Sequence, residues 1–88
     1  MENNYSEKQV YVIINNHFLY HKGYTYPFNE KSVRTLLDYS YDNLKTAKQA
    51  LYRLKKQRDK YFLATKIYSK DWQLKKIIYR TAFEVYDV

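Results

Sequence analysis

Residues 41–58, YDNLKTAKQALYRLKKQR, constrain the fold more than any other stretch of the chain. Leu44, Ala47, Leu51 and Leu54 recur at three- and four-residue spacing, which sets them on one side of an α-helix. The interior has no Gly, no Pro and, Thr46 apart, no β-branched residue. Ala, Leu, Lys, Gln and Arg dominate, and these lose the least entropy in a helix. Asp42 or Ser40 is expected to cap the first free N–H groups. Lys55, Lys56 and Arg58 fall in the last turn, where positive charge suits the helix dipole. At about 100° per residue, the arc away from the leucines holds Lys45, Lys48, Arg53, Lys55 and Lys56, with Tyr52 among them. One side of this helix therefore needs a core to cover. The other presents cations around an aromatic ring.

Before the helix, Val10 to Ile14 reads VYVII, then Asn15-Asn16, then His17 to Tyr20 and His21. β-Branched and aromatic residues suit strands, and Asn tolerates the positive φ of a tight turn, so this stretch is expected to be a β-hairpin. The competing reading takes Ser6 and Gln9 as a capping box that opens a helix with Val10, Ile13, Ile14 and Phe18 as its stripe. Residues 1–7 are polar and expected to fray. Lys22-Gly23 is a turn signal at the single glycine. Tyr24 to Tyr26 is extended, held so by Pro27. Asn29 is placed to cap a short helix carrying Val33, Leu36 and Leu37, and a polar link leads from it to the long helix. After Asp59 the period becomes two. Tyr61, Leu63, Thr65 and Ile67 alternate with Phe62, Ala64, Lys66 and Tyr68, which predicts a strand. Ser69-Lys70-Asp71 reads as a turn. The tail alternates again, Tyr79, Thr81, Phe83 and Val85 against Arg80, Ala82, Glu84 and Tyr86, with Trp72 and Leu74 starting that strand or plugging a loop.

The expected class is α+β: an antiparallel sheet in the order β-β-α-α-β-β, with helices on one face and the long helix packed on it. If residues 7–22 are helical instead, the order becomes α-α-α-β-β, the winged helix-turn-helix arrangement. Residues 32–40 are then its second helix, 43–57 its recognition helix and 60–80 its wing.

Eighty-eight residues make one small domain. There is no cysteine, hence no disulfide and no thiolate metal site. Met1-Glu2-Asn3-Asn4 is no signal segment, and no run approaches the roughly 18 apolar residues a membrane span needs. A cytoplasmic protein without membrane attachment or cofactor is expected. The net charge is +7, from 16 Lys+Arg against 9 Asp+Glu, and it is clustered. That favours polyanionic partners: DNA, RNA or an acidic protein. A homodimer stays open. Twelve tyrosines fit both base stacking and the codon bias of an AT-rich genome.

The lysines of the long helix can neutralise phosphates, Arg53 can reach a guanine edge in a major groove, and Tyr52 can stack on an unpaired base. The same side chains also suit a merely solvated face. A second cationic group, Lys66, Lys70, Lys75, Lys76 and Arg80, flanks Trp72 in the expected C-terminal hairpin. Those lysines fit either backbone contacts or protection of a sheet edge. Trp72 suits a core plug or a binding anchor. His17 and His21 are neighbours only on a helix; on a strand they stand roughly 13 Å apart, too far to share a metal. No Gly-rich phosphate loop is present.

The line YVIINNHFLYHKGYTY, followed by a short helix, LKTAKQALYRLKK and a closing strand, resembles small phage and prophage proteins of AT-rich bacteria. The likeness spans residues 10–58. It implies a mobile-element origin and, in size and style, an inhibitor of host machinery such as the anti-CRISPR proteins. SVRTLLDYSYDNLKTAKQALYRLKKQRD is similar to winged-helix regulators and implies a DNA-binding transcription regulator. A third likeness is to small basic ribonuclease toxins of the RelE type. It implies His17 or His21 as acid–base group, with Arg80, Lys75 or a tyrosine beside the phosphate. The reading favoured over these is a non-catalytic protein whose basic face engages nucleic acid or a host nucleic-acid-processing enzyme.

Overall fold

Val12 and Ile13 are adjacent, and neither exposes any surface. Neighbouring side chains of a strand point to opposite faces, so the sheet that holds them must be covered on both sides. The structure, a computed structural model, describes residues 7–29, 33–57, 59–80 and 82–88. Its elements are β1 (Lys8–Asn15), β2 (Phe18–His21), β3 (Tyr24–Pro27), α1 (Val33–Asp38), α2 (Leu44–Lys56), β4 (Tyr61–Phe62), β5 (Ile67–Tyr68), a 3-10 turn (Ser69–Asp71), β6 (Gln73–Tyr79) and β7 (Phe83–Asp87). Five strands form an antiparallel sheet in the order β3-β2-β1-β6-β7, and β4 and β5 form a separate two-stranded hairpin. The fold is α+β, as expected. The winged-helix arrangement is excluded, because the segment that would be its first helix is the β1–β2 hairpin.

On one face Val10, Val12, Leu19 and Ile77 bury against Leu36, with Leu37, Tyr39, Phe28 and Phe83 around them. On the other, Ile13 packs with Tyr41, Ala47, Leu54 and Trp72, and with Tyr20, Leu51, Phe62 and Leu74 at the margin. The two helices therefore lie on opposite faces, not on one as expected. The chain between them has to pass the plane of the sheet. It does so beside β1, just beyond the end of β2. Tyr11 N–H donates to Tyr41 O at 2.7 Å, and Tyr41 N–H donates to Tyr11 O at 2.7 Å. The β1–β2 register, Ile13 with Tyr20 and Ile14 with Leu19, would bring Lys22 opposite Tyr11. The strand instead stops at His21, and Tyr41 takes the place.

Four other expectations are corrected. The first turn is Asn16-His17, one residue later than the Asn pair suggested. Asn16 carries the positive φ of 57°, while Asn15 pairs with Phe18 and its side-chain amide donates to Asp71 O at 2.8 Å. The cap of α2 is Asn43, not Asp42 or Ser40. Its Oδ1 accepts from Lys45 N–H at 2.8 Å and Thr46 N–H at 3.3 Å, because Asn43 is the last extended residue before the helix. Ser40 instead donates to Leu37 O at 2.8 Å. Residues 61–68 are not one strand. Thr65 and Lys66 N–H both turn back to Phe62 O, and Lys66 takes φ 60°. The tail is likewise two strands, β6 and β7, joined across 80–82 by Arg80 N–H donating to Ala82 O at 3.1 Å. The expectations placed on residues 1–6, including the Ser6 capping box, on the start of the short helix, the Val33 side chain, Arg58 and Thr81 lie outside the described residues.

Trp72 sits under α2 with no exposed surface, its ring 5.9 Å from both Tyr20 and Phe62. It joins helix, sheet and small hairpin. Trp72→Ala is expected to cost about 3–5 kcal/mol, a large share of the stability of a domain this small, read by urea unfolding with circular dichroism. His21 packs between Tyr39 and Tyr41, with ring centroids at 5.9 and 4.9 Å, and its Nδ1 is buried without a partner among the described residues. Loss of solvent, and next the charge of Lys22, hold its pKa below the ordinary 6.5. The unfolded chain then binds a proton that the folded chain refuses. Stability is expected to fall as pH drops through 6.5 and to keep falling until the folded ring protonates. In His21→Phe, this part of the pH slope disappears.

Candidate nucleic-acid interface

α2 has the sequence LKTAKQALYRLKK, without one carboxylate. Its geometry follows from its cap and its leucines. Asn43 fixes the start, Ala47 and Leu54 turn inward and are buried, and Lys45, Lys48, Tyr52, Arg53, Lys55 and Lys56 are left exposed. Among the described residues none of these cations forms a salt bridge. Lys48, Tyr52 and Lys56 follow one another at four-residue spacing along one line of the helix. The Lys56 ammonium stands 5.0 Å from the centre of the Tyr52 ring, which is 63% exposed. Leu44, Gln49, Tyr52 and the aliphatic stems of Lys45 and Lys48 frame a shallow, largely apolar hollow on the same side. Arg53 points about 100° round the helix from Tyr52.

The second cationic group does not hold together as one cluster. Lys66 is exposed in the β4–β5 turn and Lys70 in the 3-10 turn. Lys55 Nζ donates to Lys70 O at 3.1 Å, which ties Lys70 to the end of α2. Lys75 and Lys76 are successive residues of β6, so they point to opposite faces of the sheet. They do not guard an edge, because β6 lies between β1 and β7. Lys75 is paired with Asp87, and Lys76 stands 5.7 Å from the Tyr86 ring centre. Arg80 binds Glu7 through Nη2 at 2.6 Å and Nε at 3.0 Å. Hydrogen bonds from Gln9 and then Arg80 hold the Glu7 carboxyl below its usual range. Trp72, fully buried, touches nothing outside the protein.

The residues considered for acid–base work are similarly dispersed. His17 lies in the first turn, His21 is enclosed by tyrosines, and Lys75 and Arg80 are each engaged by a carboxylate. A polar cleft lies over the crossing segment, but it mixes Lys8 and Lys22 with Asp38 and Asp42. α2, by contrast, carries cations and no carboxylate. Among the described residues no helix is long and apolar enough to cross a membrane.

Sequence reasoning missed the outer side of the β4–β5 hairpin. Tyr61 pairs with Tyr68 in register, their ring centroids 4.8 Å apart. The Lys70 ammonium lies 5.9 Å from the Tyr68 ring centre, and the Lys60 ammonium 4.9 Å from that of Phe62. No signal in the sequence announces this hairpin, whose turn Leu63-Ala64-Thr65-Lys66 lacks Gly, Pro and Asn. No protein-family model, curated protein or solved structure matches the chain.

Among the described residues the exposed lysines of α2 form no ion pair, and Lys55 alone hydrogen-bonds another element, at the Lys70 carbonyl. Lys48→Gln and Lys56→Gln are therefore expected to shift unfolding free energy by less than about 0.5 kcal/mol, checked by urea titration.

Proposed function

We propose that this chain is a non-catalytic binding protein of a phage or other mobile element. Its basic face engages nucleic acid, or a host nucleic-acid-processing enzyme that offers the same negative charge. One observation carries the reading: five exposed cations, Lys45, Lys48, Arg53, Lys55 and Lys56, stand on a helix with no acid of its own. A helix that only needs solvation commonly alternates signs, because i,i+4 pairs of opposite charge stabilise it and like charges do not. Here the repulsion is left in place, and a polyanion relieves it. Lysines on phosphates release counterions and give affinity that falls steeply with salt. Nucleic acid is the favoured partner because Tyr52 lies among the cations, with an open ring face for a base. The mobile-element origin rests on the likeness of residues 10–58 to small phage proteins.

The test is a double charge reversal, Lys48→Glu with Lys55→Glu. Binding of oligonucleotides is expected to be lost while the circular dichroism spectrum is retained. For the unaltered protein, log affinity is expected to fall linearly with log salt concentration. Unchanged binding by the double variant rejects this face. Capture of a host enzyme, with negligible affinity for free oligonucleotides, assigns the face to that enzyme instead.

A further inference from the structure

We propose that the binding surface extends from α2 onto the β4–β5 hairpin, and that its ligand is a single strand of nucleic acid with unpaired bases. The inference rests on the proposed function and narrows it. The hairpin is two-faced. Phe62 and Ile67 are cross-strand partners and turn inward, Phe62 lying edge-on to Trp72 at 5.9 Å and to Tyr20 at 5.7 Å. Tyr61 and Tyr68, the other pair, are thereby forced outward, 40% and 45% exposed. Leu63, at the tip, is 82% exposed.

The contacts run as a strip. Lys56 covers Tyr52 on α2. The next residue inward along the helix, Lys55, reaches the Lys70 carbonyl. Lys70 covers Tyr68, and Tyr68 meets Tyr61. Three cations, Lys56, Lys55 and Lys70, thus stand between the Tyr52 ring and the Tyr68–Tyr61 pair, and among the described residues no carboxylate pairs with any of them. The charge selects a polyanion. The rings select one whose bases are free, since a π-face stacks on an unpaired base and finds none in an intact duplex. The rings are also pre-positioned, because Phe62 and Ile67 anchor the hairpin in the core and little side-chain freedom is left to lose on binding.

Fluorescence anisotropy of the full chain with labelled oligo-dT and oligo-rU of about 12 nucleotides, against a duplex of the same length, tests this. The single strands are expected to bind more tightly. Tyr61→Ala with Tyr68→Ala is expected to weaken single-strand affinity at least about tenfold and duplex affinity less than about twofold. Tyr61→Phe with Tyr68→Phe, which keeps both rings, is expected to bind as the unaltered protein does. If the alanine pair disturbs the hairpin, Tyr61→Leu with Tyr68→Leu keeps apolar bulk without a ring face and should show the same selective loss. Equal losses on both ligands, no loss on either, or failure of the phenylalanine pair overturns the inference. Duplex binding that depends on Lys48 and Lys55 but not on the tyrosines overturns it while leaving the proposed function standing. If neither form of nucleic acid binds, both fall.

Discussion

Two hydrogen bonds between Tyr11 and Tyr41 let one short sheet be covered on both faces. A small domain buries a limited fraction of its surface, and a sheet with one wet face would leave Val12 or Ile13 in water. Sending the chain past the plane of the sheet between α1 and α2 gives each face its own helix. The crossing costs no backbone partner, because Tyr41 supplies to β1 the donor and acceptor that β2 no longer provides. His21, Tyr39 and Tyr41 close over the passage with their rings. α2 can then use a narrow inward stripe, Ala47 and Leu54 with Leu51 beside them, and leave most of its circumference to cations.

The division of charge follows the same layout. The described salt bridges all lie away from α2: Arg34 with Asp38 on α1, Lys75 with Asp87 and Arg80 with Glu7 at the β6–β7 end. Such exposed pairs add little stability, but they cancel charge locally. The unpaired positive charge is therefore concentrated along α2, which carries no acid, while Asp59 and Asp71 stand in the segments that follow it.

Much of the framework was legible in the sequence. The α2 stripe from Ala47 through Leu51 to Leu54, the β1–β2 hairpin and the α+β class followed from periodicity and from β-branched residues, which report burial directly; Leu44, expected in that stripe, lies beside the outer hollow instead. Other features were not. Facing helices on opposite sides of a sheet leave the same amphipathic pattern as helices on one side, so the crossing at Tyr41 was hidden. Alternation at residues 61–68 survived as a pattern while the chain reversed within it, because Lys66 adopts a positive φ without the usual Gly or Asn. That reversal changes which residues share a face, which is why the Tyr61–Tyr68 pair was missed. Lys75, Lys76 and Arg80 looked like part of a basic group because sequence proximity says nothing of the carboxylates that approach from β7 and from Glu7.

The turn between β2 and β3 sets where the second helix can attach. Lys22 and Gly23 both hold positive φ, 51° and 91°, as a two-residue hairpin turn requires. One more residue of pairing between β2 and β1 would put Lys22 on Tyr11 and evict Tyr41 from its place. Strand length and helix docking are thus in competition for a single edge of β1, and the reversal at Gly23 decides it in favour of the helix.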